Sequence, residues 1–335
     1  MTPVLVFLPV AFSLLSPQAL ALCVLTSGAR ELGKAAASPR WTTGRQKDRT
    51  LMTRQPTASR LRVLRTGDPQ SMFHYHNPKE ILERLGPPWR LLSSSAKTEK
   101  SRGVGVLSRV LYLTPGVFCP RATEGCLRVC LGHASGRMTM LQSANARDRR
   151  TALYAEDQEH FLDLLRCDLR LLREDARREG MTPAVRLNGT SDIPWETLHG
   201  ELFAEFDDLE FYDYTKVPSR VRQFLLGRRG LSDFPANYHL TFSHSETNAA
   251  EARSLLDEGA GVAVVFWPSL PETYGTFPVV DADKHDARFL DDEQVPTRGG
   301  YIVGLRAKGI AREDLSGFVV QRAGEPVYLK RGAAA

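Results

Sequence analysis

Three of the five cysteines fall within twelve residues, spaced Cys119-x6-Cys126-x3-Cys130, directly after an apolar run that reads as a strand. Thiolates are soft ligands suited to zinc or to an iron–sulfur cluster, so the spacing marks 116–133 as a metal-binding loop. A closed zinc site needs a fourth ligand, and His133 follows Cys130 by three residues. A 4Fe–4S cluster held by three thiolates instead leaves one iron open to a substrate or a small polar cofactor. Disulfide pairing and plain core packing are the other uses open to such cysteines. Cys167 faces away from the apolar stripe of its helix and Cys23 is near the N-terminus, so neither offers a strong fourth ligand.

Further polar groups gather where other apolar runs end. Asn188, Gly189, Thr190, Ser191 and Asp192 can position a polar ligand, or form a turn that caps the next helix. Tyr214, Thr215 and Lys216 end a second run, and Ser243, Ser245, Glu246 and Asn248 end a third. Asp281, Asp283, His285 and Asp286 could bind Mg²⁺ together with substrate phosphates, or form a solvated acidic loop. His239, within a strand, reads as structural.

The elements that must position these groups alternate. Strands are expected at Val106–Thr114, Ala184–Leu187, Leu209–Tyr214, Tyr238–Phe242, Val262–Phe266, Phe277–Val280 and Tyr301–Leu305. Helices are expected at Glu156–Gly180, Trp195–Glu205, Ser219–Leu226 and Thr247–Glu258. The stripe Phe161, Leu164, Leu165, Leu169, Leu172 and Ala176 makes the first of these helices the clearest. Strands separated by helices pair in parallel, because parallel neighbours need a long return connection. The expected fold is therefore α/β, a mostly parallel (β/α) barrel of the TIM type or a partial barrel over 67–335, with an open doubly wound sheet as the competitor. No Gly-x-Gly-x-x-Gly follows the first strand, which argues against dinucleotide binding.

With 42% apolar and 25% charged residues in 335, the chain is neither disordered throughout, nor fibrous, nor a disulfide miniprotein. The net charge of +5 is unevenly spread: residues 24–66 hold ten Lys/Arg against Glu31 and Asp48, and the rear half is acidic. Residues 1–66 read as an apolar, then basic, disordered leader. Its apolar run, 4–15, resembles a signal peptide but lacks a basic n-region and is short for a bilayer span. A cytoplasmic protein without stable membrane insertion is expected. Arg121, Arg128, Arg137, Arg147, Arg149 and Arg150 could contact phosphates, so a zinc-stabilised nucleic-acid-binding or nucleic-acid-processing protein is the alternative function.

The segments Leu111–Gly116, Val185–Glu196, Phe211–Lys216, Leu240–Asn248, Asp281–Asp291 and Gly300–Gly309, with the three-cysteine stretch, resemble a phage and prophage family called gene product eighty-eight. The likeness runs from about Leu91 to Val320 and implies membership rather than a reaction. Family members often follow the third cysteine with Tyr-Ala, where this chain has Leu131-Gly132. A more distant, topological resemblance is to radical S-adenosylmethionine enzymes, whose three cysteines follow the first barrel strand, although with x3 and x2 spacing. It implies a 4Fe–4S cluster on Cys119, Cys126 and Cys130, with Asn188, Gly189, Ser191 and Asp192 orienting S-adenosylmethionine. Lys216, Ser243 and Glu246 would then line the substrate pocket.

Overall fold

The structure is a computed structural model that describes residues 67–295 and 299–321. The leader assigned to 1–66, with its signal reading and Cys23, lies outside the described residues. Ten strands form the sheet: β1 (Leu92–Ser93), β2 (Val106–Leu111), β3 (Thr182–Arg186), β4 (Glu210–Thr215), β5 (Tyr238–Ser243), β6 (Gly261–Trp267), β7 (Thr273–Tyr274), β8 (Phe277–Asp281), β9 (Tyr301–Arg306) and β10 (Val319–Gln321). Their order is β1-β2-β3-β4-β5-β6-β9-β8-β7, with β10 added to β6. All pairings are parallel except β1 with β2 and β7 with β8.

Each crossover from β2 to β6 carries helix. Leu165, Leu169 and Leu172 of helix Gln158–Glu179, Leu202 and Phe203 of Glu201–Glu205, Val221 and Phe224 of Pro218–Gly227, and Leu255 and Leu256 of Ala249–Asp257 share one apolar core. The same core takes Leu107, Leu111, Val185, Phe211, Leu240, Phe242, Val262 and Val264 from the sheet. These alternate along their strands with residues outside that core, so the four crossovers cover one face. The opposite face carries Val106, Ser108, Ala184, Arg186, Tyr212 and Tyr214, and segment 285–294 packs onto it through Ala287, Phe289 and Leu290.

The sheet does not close, which corrects the barrel expectation. A (β/α) barrel closes only if each new strand joins the same advancing edge. Here β9 enters between β6 and β8, while β7 and β8 form an antiparallel pair without a crossover helix between them. The edges are the two-residue strands β1 and β7. The mixed α/β character and parallel majority are as the alternation implies.

Local chemistry explains where the long helix begins and ends. The long helix begins later than expected, at Gln158, because the Asp157 side chain accepts from the His160 N–H as an N-cap, and the chain before it is a separate helix, Leu141–Glu156. It ends at Gly180, whose φ of +64° is the left-handed conformation that favours glycine.

Candidate active site

The loops after β2, β3, β4 and β5 leave the same end of the sheet, since these strands are parallel neighbours. The ends of β5 and β6 part there. Pairing between them is confined to Phe242 with Val262 and Ser243 with Ala263, and β10 takes over β6 from Val265 onward. Sites on parallel sheets lie outside the carboxyl ends of the strands, where these loops gather.

The cysteine loop is fastened to the β5 loop by one carboxylate. Glu246 accepts from the Gly125 N–H at 2.8 Å and from the Thr123 hydroxyl at 2.8 Å. Thr123 in turn caps the short helix Glu124–Arg128 by accepting from the Cys126 N–H at 3.2 Å. Glu246, read in sequence as a pocket residue, thus orients the turn that bears Cys126.

Cys119, Cys126 and Cys130 are partly buried free thiols. Burial pushes the Cys119 thiol far up; a hydrogen bond involving the Gly116 backbone opposes this, and Cys130, Cys126 and Asp192 push it higher. Cys130 is pushed up to about 12 by burial and further by Cys126, while Lys216 and Arg147 act in the opposite direction. Cys126 thus acts on both Cys119 and Cys130, and Lys216 on Cys130. Among the described residues, no three or more His, Cys, Asp or Glu are drawn together as a metal-holding group. Three partly buried thiols in one loop are, once deprotonated, donors of the kind a soft metal takes.

The Asn188–Asp192 segment adjoins this loop. The Asp192 N–H donates to the Phe118 carbonyl at 2.7 Å, and the Cys119 thiol lies 3.5 Å from the Thr190 carbonyl. Its side chains work inside the protein. Asn188 accepts from Ser191, the Ile193 N–H and the Trp195 indole, and donates to the Ile193 carbonyl. Asp192 accepts from Arg220 at 2.6 Å and from the Lys216 N–H at 2.9 Å. A Cβ on Gly189 would stand 2.6 Å from the Leu111 carbonyl oxygen, so glycine is what lets the β3 loop cross the end of β2.

Lys216 and Ser243 meet across adjacent strand ends, the ammonium donating to the hydroxyl at 2.7 Å beneath the Phe318 ring. His244, buried beside them, is held down at about 4, by burial first and then by Lys216, with Glu246 opposing.

Other sequence candidates have different surroundings. His133, considered as a fourth zinc ligand, is lowered by burial, with Asp68 and Arg147 as its charged neighbours. Asp281 and Asp283 pair with Arg306, and Asp283 also with Lys308, while Asp286 pairs with Lys97. These carboxylates already face cations, which does not favour the Mg²⁺ reading. Among the arginines considered for phosphate contact, Arg121 faces Glu251, Arg128 faces Asp314, Arg147 is buried on Asp68, and Arg150 donates to the Arg90 carbonyl. Arg220 and Arg186 were not singled out in sequence. Alternation with buried Ala184 along β3 would have flagged Arg186 as facing the same side of the sheet.

The gene product 88 family model matches residues 89–322, so the chain belongs to that phage family. Neither a curated protein nor a solved structure matches it.

Proposed function

We propose that this protein is an iron–sulfur enzyme of the radical S-adenosylmethionine type, acting in a reducing cytoplasm, with Cys119, Cys126 and Cys130 as the three thiolate ligands of a 4Fe–4S cluster. The observation that carries the reading is the Lys216–Ser243 contact at adjacent parallel strand ends, beside a loop of three free thiols of which Cys130 has Cys126 and Lys216 as charged neighbours. Bound there, the cluster would supply one-electron chemistry to S-adenosylmethionine, the small polar cofactor an open iron accepts.

The chain's own residues divide the remaining work. Glu246 sets the cysteine turn, and Asn188, Gly189, Ser191 and Asp192 brace the loop against which Cys119 rests. Lys216 offers a positive charge to an anionic end of the cofactor or substrate, and Ser243 holds that ammonium in place. Arg121, Arg128 and Arg147 already face Glu251, Asp314 and Asp68, which does not favour a phosphate-binding face through them.

Anaerobic reconstitution of the full chain with iron and sulfide, followed by S-adenosylmethionine and a reductant, tests the reading. Release of 5′-deoxyadenosine by the wild type, and none by Cys130→Ser, is the expected result. A wild type that incorporates iron yet releases none would reject the enzyme assignment.

A further inference from the structure

Two arginines on the sheet, Arg220 buried and Arg186 partly buried, are provided for very differently. Arg220 donates to Asp192, Glu196, Thr215 and Tyr238. Arg186, at the end of β3 on the face opposite the crossover helices, lies over the Tyr214 ring at 4.5 Å. Its ion-pair partner, Asp286, is 3.8 Å away, beyond hydrogen-bond reach, and its Nε is buried without a hydrogen-bond partner. Asp286 is already engaged, by Lys97 at 2.8 Å and by the Tyr212 hydroxyl at 3.2 Å. Arg288, the third cation here, has its own carboxylate in Asp291 at 3.1 Å.

Within ion-pair distance the group holds three cations, Lys97, Arg186 and Arg288, against two carboxylates, Asp286 and Asp291, while Asp213 acts on Arg186 and Asp283 on Lys97 from further away. The cations of the two outer pairs are on the solvent side. The side chains of Lys97 and Arg186 keep 21% and 17% of their surface, whereas Asp286 keeps 2% and Asp291 none. Lys97 also approaches the Tyr214 ring, at 6.0 Å, so the two accessible cations flank one aromatic face and one buried carboxylate. A guanidinium withdrawn from water without hydrogen bonds is costly, and a planar fork of donors is matched best by an oxyanion.

We infer that Arg186 and Lys97 form a binding site for the oxyanion group, carboxylate or phosphate, of a small-molecule ligand seated on this face of the sheet. Oxyanion binding there requires no metal, so it is separable from the cysteine centre.

The test is thermal unfolding of the full-length, metal-free protein titrated with inorganic phosphate and, separately, with acetate, at constant ionic strength. A saturable rise in Tm with one of them identifies which oxyanion the site takes. Arg186→Met is expected to weaken that binding by about tenfold or more, the loss of a charge-assisted hydrogen bond. Arg137→Met, at an exposed arginine, should bind as wild type does. Should Arg186→Met not fold, Lys97→Met carries the same comparison. Absence of a saturable rise with either anion in the wild type, or a rise undiminished in the folded Arg186 or Lys97 variant, would overturn the inference.

Discussion

Glu246 shows how far the chemistry of a residue depends on what surrounds it. A carboxylate at a strand end suggests a catalytic acid or base, yet both of its oxygens accept hydrogen bonds from the cysteine turn. Glu246→Ala should therefore lower stability by roughly 1–2 kcal/mol in chemical denaturation, in line with losing a cap and a partly buried hydrogen bond. Glu246→Gln, which keeps one acceptor, should recover much of that loss. Its neighbour His244 predicts a pH effect. Its folded pKa of about 4 lies below the ordinary imidazole value of 6.5, so the unfolded chain binds the proton first as pH falls. Stability from neutral His244 is then complete above about pH 6.5 and lost as pH drops toward 4, by roughly 2–3 kcal/mol. Equilibrium unfolding across that window should show a flatter acid limb in His244→Asn than in wild type. Equal slopes would mean that the imidazole does not titrate between the two states. The loop position of these residues was legible in the sequence; the partners that decide their roles were not, because Glu246 meets Gly125 across 121 residues of chain.

At the scale of elements, apolar periodicity carried most of the information. The stripe from Phe161 to Ala176 marks a helix whose stop at Gly180 follows from left-handed backbone, and the apolar runs of β4, β5, β6, β8 and β9 stand within a few residues of their expected limits. Strands β1, β7 and β10, of two, two and three residues, are too short to create a period and exist because a neighbour offers an edge. The expected helix Trp195–Glu205 is interrupted at His199–Gly200 and becomes two short helices. Asn188–Asp192 reads as a ligand loop or as a turn, and its hydrogen bonds chiefly tie it to the protein. Gly189→Ala should consequently cost about 1–3 kcal/mol through overpacking against Leu111 and Tyr112, read as a lowered denaturation midpoint. A midpoint equal to wild type would show that the β3 loop has slack over β2.

Across the whole molecule, the alternation of strands and helices foretold a parallel α/β sheet but not that it stays open. Closure depends on where the last strands insert, and β9 entering between β6 and β8 has no local signature. The crossover helices cover one face, leaving the other to segment 285–294, the helix bearing Lys97 and the polar residues of β3 and β4. No helix among the described residues is long and apolar enough to cross a membrane. Charge is similarly organised by the fold: arginines that form a basic run in sequence are distributed onto Glu251, Asp314 and Asp68. The 4Fe–4S cluster proposed on the three cysteines is tested most directly by metal analysis of the full-length protein purified without oxygen and without reconstitution. The account predicts about four irons per chain with matching acid-labile sulfide, lost in Cys126→Ser. One zinc per chain with no iron would contradict it.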